Sequence, residues 1–289
     1  MTFLENVDKA KLQKILLITI SALMLVALAL LLAIVIMSIE PASLTDADMD
    51  FTNYTVEEKD IATGSLIIAD KDHPYTPKAE LLDLVGCTAY MEAQPDATGV
   101  GSEDFTEKNY IPWKKMRLPS LTMKNLHNML TAAKNEVGEN PVTIDGAYDT
   151  IISGDVYAEY ATGMLVLLSD YTSSYERVEL SSAYRAWFDN NAAKYGFVEA
   201  YEDTYRFVGV AHAKYLNDAG ITLAEYIAYL KENTNSEKGL ALTAADGEQY
   251  YVYFVACEAG ETINVPADNE YTISGTNDGG VVVTVKLEK

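Results

Sequence analysis

The chain has 289 residues, and its 43 acidic side chains outnumber the 21 basic ones, giving a net charge of −22 at neutral pH. Such an acidic protein does not neutralise a phosphate backbone, so a general nucleic-acid-binding function is excluded. A hydrophobic fraction of 49% with only 8 prolines also excludes wholesale disorder.

An uncharged apolar run occupies residues 15–39. A bilayer core requires about 20 such residues, because a spanning helix must satisfy every backbone polar group internally. A buried soluble helix and a cleaved signal peptide are the alternatives, and the length of the run and the Glu40-Pro41 pair that follows it disfavour both. The sequence predicts one transmembrane helix.

Charge on either side of this run predicts its orientation. Lys9, Lys11 and Lys14 precede the run, whereas acidic residues follow it. Cytoplasmic flanks of membrane helices are enriched in lysine and arginine. We therefore expect residues 1–14 in the cytoplasm and the chain after Ile39 outside the cell, facing the cell wall.

Two cysteines, Cys87 and Cys257, are too few for a fold built on disulfides. They could pair outside the cell, but they fall in different predicted modules and the sequence supplies no geometry for a bridge. Disulfide pairing therefore stays open. A redox or zinc motif of the Cys-x-x-Cys type does not occur.

Residues 40–63 are acidic and weakly periodic, which predicts a linker. The apolar run Gly64–Ala69 predicts a strand, and Val142–Ile144 predicts another. After Ser120, apolar residues recur at helical spacing as far as Gly138, which is a suitable residue to end a helix.

The second half of the ectodomain changes from a helical to a strand-like pattern. Apolar residues at helical spacing precede Gly196, and a capping box opens a helix at Thr222. The remaining signals are strands and a hairpin turn, at Tyr250–Val255, Val281–Leu287 and Asn277–Gly280. We therefore predict an α+β core over residues 64–234 and a small all-β module over residues 239–289.

Several ordered stretches resemble the VanY-type D-alanyl-D-alanine carboxypeptidases, which are zinc peptidases that trim bacterial peptidoglycan stem peptides. The similar stretches are Gly64–Pro74, Leu126–Thr150, Asn191–Phe197 and Arg206–Tyr226. The resemblance implies a small antiparallel sheet with packed helices over roughly residues 64–230. It also implies a site with three zinc ligands, a glutamate base and an arginine that holds the substrate carboxylate or the oxyanion.

The residues that the family uses for catalysis are replaced in this chain. Aligned on Thr162-Gly163, Tyr160 and Leu167 stand where the resemblance implies a histidine and an aspartate. Aligned on Arg206, Tyr201 stands at the glutamate base and Thr204 at the third ligand. The substrate arginine is replaced as well, by Asp149.

These replacements remove the chemistry that a catalytic zinc ion requires. Such a site needs about three imidazole, thiolate or carboxylate ligands and an open position for water. Leucine has no lone pair, neutral hydroxyls are poor zinc ligands, and a phenol with an ordinary pKa of about 10 is a poor base. Asp149 also reverses the charge that a substrate carboxylate meets. The sequence therefore predicts a degenerate member of the family that binds no metal cofactor.

A relocated metal site is not favoured by the three histidines, His73, His127 and His212, because their spacing matches no zinc motif. We interpret them as surface or packing residues. Of the 20 tyrosines, several fall around the former cleft. They either fill half-buried surfaces or form an aromatic, acidic groove that binds a peptide or glycan. The candidate groove residues are Tyr148, Tyr160, Tyr201, Thr204 and Arg206.

These features of the sequence predict one of three functions. We favour a catalytically silent, membrane-anchored module that faces the cell wall and binds a peptidoglycan stem peptide or a protein partner of the cell envelope. The alternative is an active metallo-carboxypeptidase with a rearranged site. The third possibility is a structural spacer.

Overall fold

The computed structural model describes residues 43–94, 109–112, 115–138, 140–148, 157–171 and 178–288, together with Thr19. Apart from Thr19, the predicted membrane helix at residues 15–39 lies outside these ranges. Within them, none of the helices has the length and apolar character required to cross a bilayer.

The described ranges contain seven α-helices, which are α1 Glu58–Ala62, α2 Cys87–Glu92, α3 Ser120–Val137, α4 Tyr157–Tyr160, α5 Ser182–Asn191, α6 Val210–Ala219 and α7 Leu223–Asn233. Short 3-10 helices occupy Ala79–Leu81 and Ala192–Tyr195. The first nine strands are β1 Ser43–Asp46, β2 Phe51–Thr55, β3 Leu84–Gly86, β4 Tyr110–Pro112, β5 Arg117–Pro119, β6 Val142–Gly146, β7 Leu165–Asp170, β8 Phe197–Tyr201 and β9 Thr204–Phe207. The last five strands are β10 Lys238–Thr243, β11 Gln249–Ala256, β12 Thr262–Pro266, β13 Tyr271–Gly275 and β14 Gly280–Lys286.

The first five-stranded sheet has the order β4-β6-β7-β9-β8. The expectation of an antiparallel sheet holds for three of its pairs, but β4 runs parallel to β6. One face of this sheet, which includes Ile144, Leu168 and Phe207, packs in a common core with α3 and α5. This packing leaves the opposite face for the candidate site.

The helices predicted from apolar spacing and capping residues are confirmed. Helix α3 buries the apolar side that its spacing predicts and ends at Gly138, which has φ of 72°. The second predicted helix forms as α5 and a 3-10 turn, and left-handed Gly196 ends it. Helix α7 begins with the predicted capping box, in which Thr222 and Glu225 bond each other's backbone N–H groups.

The second five-stranded sheet has the order β1-β10-β11-β14-β13, and its strand pairs are antiparallel. Both predicted C-terminal strands form, as β11 and β14. The predicted turn connects β13 to β14, with Asn277 and Gly279 at positive φ. A turn of this kind favours asparagine and glycine, because both tolerate the left-handed conformation.

The predicted linker at residues 40–63 is wrong for residues 43–62, which fold as β1, β2 and α1. Strand β1 pairs with β10, and β2 pairs with β12, so the beginning of the described body closes onto its end. Most side chains of β1 and β2 are exposed, which explains why the sequence shows no clear alternation there.

The β-rich end of the chain is not a separate module, because residues 42–289 form one compact unit. Val208 and Leu216 share a core with Leu240, Val252 and Val282 of the second sheet. This shared core contains side chains from both sides of the predicted boundary. Helices α6 and α7 therefore pack in one core with the strands of the predicted β module.

The predicted strand at Gly64–Ala69 is also wrong in form. Residues 66–69 are buried, as an apolar run suggests, but the segment begins with a turn and is not a strand. Its side chains Leu66 and Ile68 belong to the same core cluster as Val208 and Leu240. The two cysteines are not joined, since Cys87 and Cys257 lie in different core clusters.

Candidate functional site

Three of the replaced catalytic positions form a row across the first sheet. Leu167 of β7 pairs with Thr204 of β9, and Thr204 pairs with Tyr201 of β8. Gly146 of β6 continues the row beside Leu167. The register therefore brings together positions that are far apart in the sequence.

Tyr160, at the end of α4, completes this set of positions. A Cβ atom added to Gly146 would lie 3.2 Å from the Tyr160 hydroxyl and 2.9 Å from Leu167 Cβ. The absence of a side chain at Gly146 thus makes room for Tyr160 against the row. Tyr160 is almost completely buried, with 2% of its surface exposed.

The side chains in the row do not form a zinc site. Leu167 offers no ligand atom, and the Thr204 hydroxyl donates to the Glu202 carbonyl at 3.2 Å. Burial and the neighbouring Glu159 carboxylate raise the pKa of Tyr201 to about 12, so its phenol stays protonated at neutral pH. Among the described residues, no group of three histidine, cysteine or acidic side chains could hold a metal ion. Asp149 lies outside the described ranges.

A buried ion pair lies next to the row. Arg206 of β9 is 2% exposed, and its Nη1 donates to Glu159 Oε1 at 3.0 Å. Its Nη2 donates to the Ile67 carbonyl. Burial lowers the pKa of Arg206, and Glu159 partly offsets this effect. Within the described ranges, Arg206 Nε and Glu159 Oε2 are buried and have no hydrogen-bond partner.

An open groove of about 730 Å³ begins at this ion pair. We call it the Tyr201 groove, because the half-exposed Tyr201 borders it. Its apolar floor includes Val198, Leu216, Ile221 and Leu223, and its charged residues are Asp70, Lys71, Asp72, Glu159, Glu199 and Arg206. Four carboxylates against two cations, one of which is paired with Glu159, give the groove a negative character.

The β13–β14 turn holds one wall of the groove. Asn277 Nδ2 lies within 3.0 to 3.3 Å of the carbonyls of Ile68, His73 and Pro74. The Ile68 N–H donates in turn to the Thr276 carbonyl at 2.9 Å. The second sheet therefore fixes the position of the segment that carries the acidic wall.

The other predicted groove residues lie elsewhere. Tyr160 and Thr204 are buried, and Tyr148 lies under the Arg117 guanidinium, 5.7 Å from the ring centre. Of the predicted set, the groove is bordered by Tyr201 and Arg206. The prediction of an aromatic groove is therefore wrong. The groove is acidic, has an apolar floor, and contains one of the three predicted tyrosines, Tyr201.

The histidines make hydrogen bonds within the fold. His73 Nδ1 lies 2.9 Å from Asp70 Oδ1, and His127 Nδ1 lies 2.8 Å from the Tyr110 hydroxyl. His127 and His212 are buried. Each therefore has the surface or packing role that the sequence predicted.

Sequence reasoning missed Glu159, Glu199 and Asn277. None belongs to a short motif, and Glu159 and Asn277 matter because of neighbours that are distant in the sequence. A carboxylate such as Glu159 could have been expected beside Arg206, because an arginine as buried as this one requires a carboxylate partner. Asn277 was recognised as a turn residue, but its contact with the groove wall had no sequence signal.

No protein-family model matches the chain. A D-alanyl-D-alanine carboxypeptidase of Enterococcus faecium is 26% identical over 248 residues, covering 80% of this chain and 78% of the relative. Over most of the chain, the predicted resemblance to these carboxypeptidases is confirmed.

One of two similar solved structures gives the same result for the fold. The vancomycin-resistance D,D-dipeptidase VanXYg, in complex with a D-Ala-D-Ala phosphinate analogue, superposes with a TM-score of 0.58 at 16% identity. The match covers 82% of this chain and all of that one. The LdcB LD-carboxypeptidase matches 65% of this chain and 94% of its own at 21% identity, with a TM-score of 0.37. The carboxypeptidase-like α+β fold is therefore shared with VanXYg.

Proposed function

We propose that this protein is a membrane-anchored, extracytoplasmic carboxypeptidase-like protein that has lost zinc-dependent catalysis and serves as a binding module in the cell envelope. The observation that carries the proposal is the row of Leu167, Thr204 and Tyr201 beside Tyr160, the positions that the resemblance aligns with the family's metal ligands and base. These side chains lie together, but they lack the donors that zinc requires. Without a bound metal, water is not acidified and the scissile carbonyl is not polarised.

Binding is the role that remains, and the Tyr201 groove supports it. The groove is large enough for several side chains and lies next to the replaced positions. Its ligand is a peptidoglycan stem peptide or a segment of an envelope protein. The likeness to a D-alanyl-D-alanine carboxypeptidase favours the second candidate function, an active metallo-carboxypeptidase with a rearranged site.

One experiment separates these two functions. The purified full chain is dialysed against zinc, its metal content is measured, and D-Ala release from a Lys-D-Ala-D-Ala peptide is followed. We expect substoichiometric zinc and no release above buffer. One zinc ion per chain together with steady D-Ala release would contradict the proposed loss of catalysis.

A restored variant gives this experiment a positive control. The substitutions Tyr160→His, Leu167→Asp and Thr204→His supply imidazole and carboxylate ligands at the three positions. If the positions correspond to the family's ligands, the triple variant gains about one tightly bound zinc ion, as expected for a three-ligand site. The single variants serve as matched controls and should bind none.

The membrane anchor is tested separately. Residues 15–39 are expected to keep the full chain in the membrane fraction through carbonate extraction, whereas a chain beginning at Glu40 is released. Recovery of the full chain in the soluble fraction would overturn the anchor and leave the proposed binding role intact.

A further inference from the structure

The Arg206–Glu159 pair leaves hydrogen-bonding capacity unused where the Tyr201 groove begins. Both residues line the groove, and Arg206 is 2% exposed. Within the described ranges, the donor Arg206 Nε and the acceptor Glu159 Oε2 are buried and have no hydrogen-bond partner. Buried polar atoms in folded proteins are nearly always hydrogen-bonded. A donor and an acceptor left over at the border of a groove therefore indicate a ligand that supplies both partners.

The charges around the pair favour an uncharged ligand group at this position. Glu159 already neutralises Arg206, because Arg206 Nη1 lies 3.0 Å from Glu159 Oε1. Two further carboxylates, Asp70 and Asp72, line the same groove with a single further cation, Lys71. A ligand carboxylate at the pair would therefore meet a surplus of negative charge, whereas a ligand ammonium group would lie beside the buried guanidinium.

Glu199 is not part of this charge balance, although it borders the groove. Val198 pairs with Arg206 across β8 and β9, and Glu199 pairs with Tyr205. Consecutive side chains of a strand point to opposite faces, so the Glu199 carboxylate lies on the face of Tyr205, which packs in the core with α5. There its Oε1 accepts a hydrogen bond from the Asp203 N–H at 3.3 Å.

We infer that the Tyr201 groove takes an uncharged amide of its peptide ligand at the Arg206–Glu159 pair and discriminates against a free C-terminal carboxylate. A ligand carbonyl accepts from Arg206 Nε, and a ligand amide N–H donates to Glu159 Oε2. Both atoms are covered, so binding requires the half-exposed Tyr201 side chain, which interacts with Glu159, to turn aside. This inference rests on the proposed binding role and deepens it by naming the group that the ligand presents.

The test compares two matched pairs of fluorescein-labelled tripeptides, with binding to the purified full chain followed by fluorescence anisotropy. The first pair is Lys-D-Ala-D-Ala as the free acid and as the C-terminal amide, and the second is all-L Lys-Ala-Ala in the same two forms. In the pair that binds more tightly, we expect the amide to bind about 10-fold more tightly than the acid, because the acid lacks the N–H donor and meets Glu159. Whether that pair is the D or the L pair identifies the source of the ligand as cell-wall peptide or protein.

The variant Glu159→Gln tests whether this carboxylate causes the preference. It keeps the size of the side chain, removes its charge and leaves the Arg206 cation free to attract a carboxylate. The preference should therefore reverse, so that the acid binds at least as tightly as the amide. The control Glu232→Gln changes an exposed acid of α7 outside the groove and should keep the preference for the amide. Thermal unfolding of both variants checks that they are folded.

Three results would overturn the inference: no saturable binding of any of the four peptides, an acid that binds as tightly as its amide to the unaltered protein, or an unchanged preference in folded Glu159→Gln. The peptide comparisons use the unaltered protein, so they stay decisive even if Glu159→Gln misfolds. Binding without a preference for the amide contradicts this inference alone, whereas a lack of binding contradicts the proposed binding role as well. Release of D-Ala in the turnover assay would instead contradict the loss of catalysis.

Discussion

Two buried polar networks in this molecule differ in how completely they are paired. His212 of α6 lies 2.9 Å from the Tyr226 hydroxyl through Nδ1 and 3.0 Å from the Thr284 hydroxyl through Nε2, so both ring nitrogens are paired. The Arg206–Glu159 pair leaves Arg206 Nε and Glu159 Oε2 without partners in the described ranges.

This difference distinguishes the network that stabilises the fold from the network that borders the candidate site. The His212 network joins two helices to the second sheet, and a fully paired network of this kind fixes a unique packing. Unpaired buried polar atoms cost free energy, and such costs are concentrated at functional sites. The incomplete network borders the Tyr201 groove and the row of replaced catalytic positions, where we propose the function lies.

We expect acidification to cause the largest loss of stability, through protonation of His212 in the fully paired network. Burial lowers the pKa of His212 from its ordinary value to about 3. The folded state therefore keeps this histidine neutral, while the unfolded state protonates below about pH 6.5. The stabilisation is complete above that value and is lost as pH falls towards 3, by up to about 5 kcal/mol in total and about 2 kcal/mol between pH 7 and 5.

Urea unfolding of the wild type and His212→Gln at pH 7 and pH 5 measures this contribution. The variant should lose less stability on acidification than the wild type, because the other groups titrate alike in both. Equal losses would show that His212 is not held neutral by the fold.

Breaking the incomplete network should have the next largest effect. Arg206→Met leaves a largely buried Glu159 carboxylate without its cation, and we expect a loss of about 3–5 kcal/mol in the free energy of unfolding. Replacing both partners, as Arg206→Met with Glu159→Leu, should restore most of this loss, because no buried charge remains.

Urea unfolding of the single and double variants measures this effect. The control is Lys231→Met, which breaks an exposed pair with Asp278 and should cost less than about 1 kcal/mol. A double variant as unstable as Arg206→Met would show that the pair contributes more than the removal of a buried charge can explain.

The smallest expected effect concerns the groove wall that Asn277 holds. Asn277→Gly removes the side-chain hydrogen bonds to the groove wall and keeps the positive φ of 58° accessible, so we expect a loss of about 1–3 kcal/mol. Thermal unfolding measures it, with Asp278→Gly in the same turn as the control. If the two variants were equally stable, the turn would not hold the wall.

The sequence predicted the parts of the fold that depend on local signals. The helix from Ser120 and the capping box at Thr222 lie within a few residues of the signals that predict them. Strands β1 and β2 could not be found in this way, because they are short and mostly exposed and their partners stand near the opposite end of the chain.

The candidate site likewise contains residues that short motifs predicted and residues that only the tertiary packing reveals. Alignment of short motifs identified Leu167, Thr204 and Tyr201, and the sheet register brings these positions together. The acidic lining of the groove could not be predicted, since Asp70 and Glu159 are far apart in the sequence and line the same groove through tertiary packing alone.

The pairing of β1 and β2 with the last part of the chain has a consequence for biosynthesis. Asp46 pairs with Lys238, and Thr55 pairs with Thr262, so β1 and β2 cannot pair until β10 and β12, much later in the sequence, have been synthesised. Contacts of this sequence separation slow folding, and unpaired edges are prone to aggregation during the delay. The segment that contains β1 and β2 is short, mostly exposed and acidic, and these properties are suited to keeping it soluble until its partner strands are synthesised.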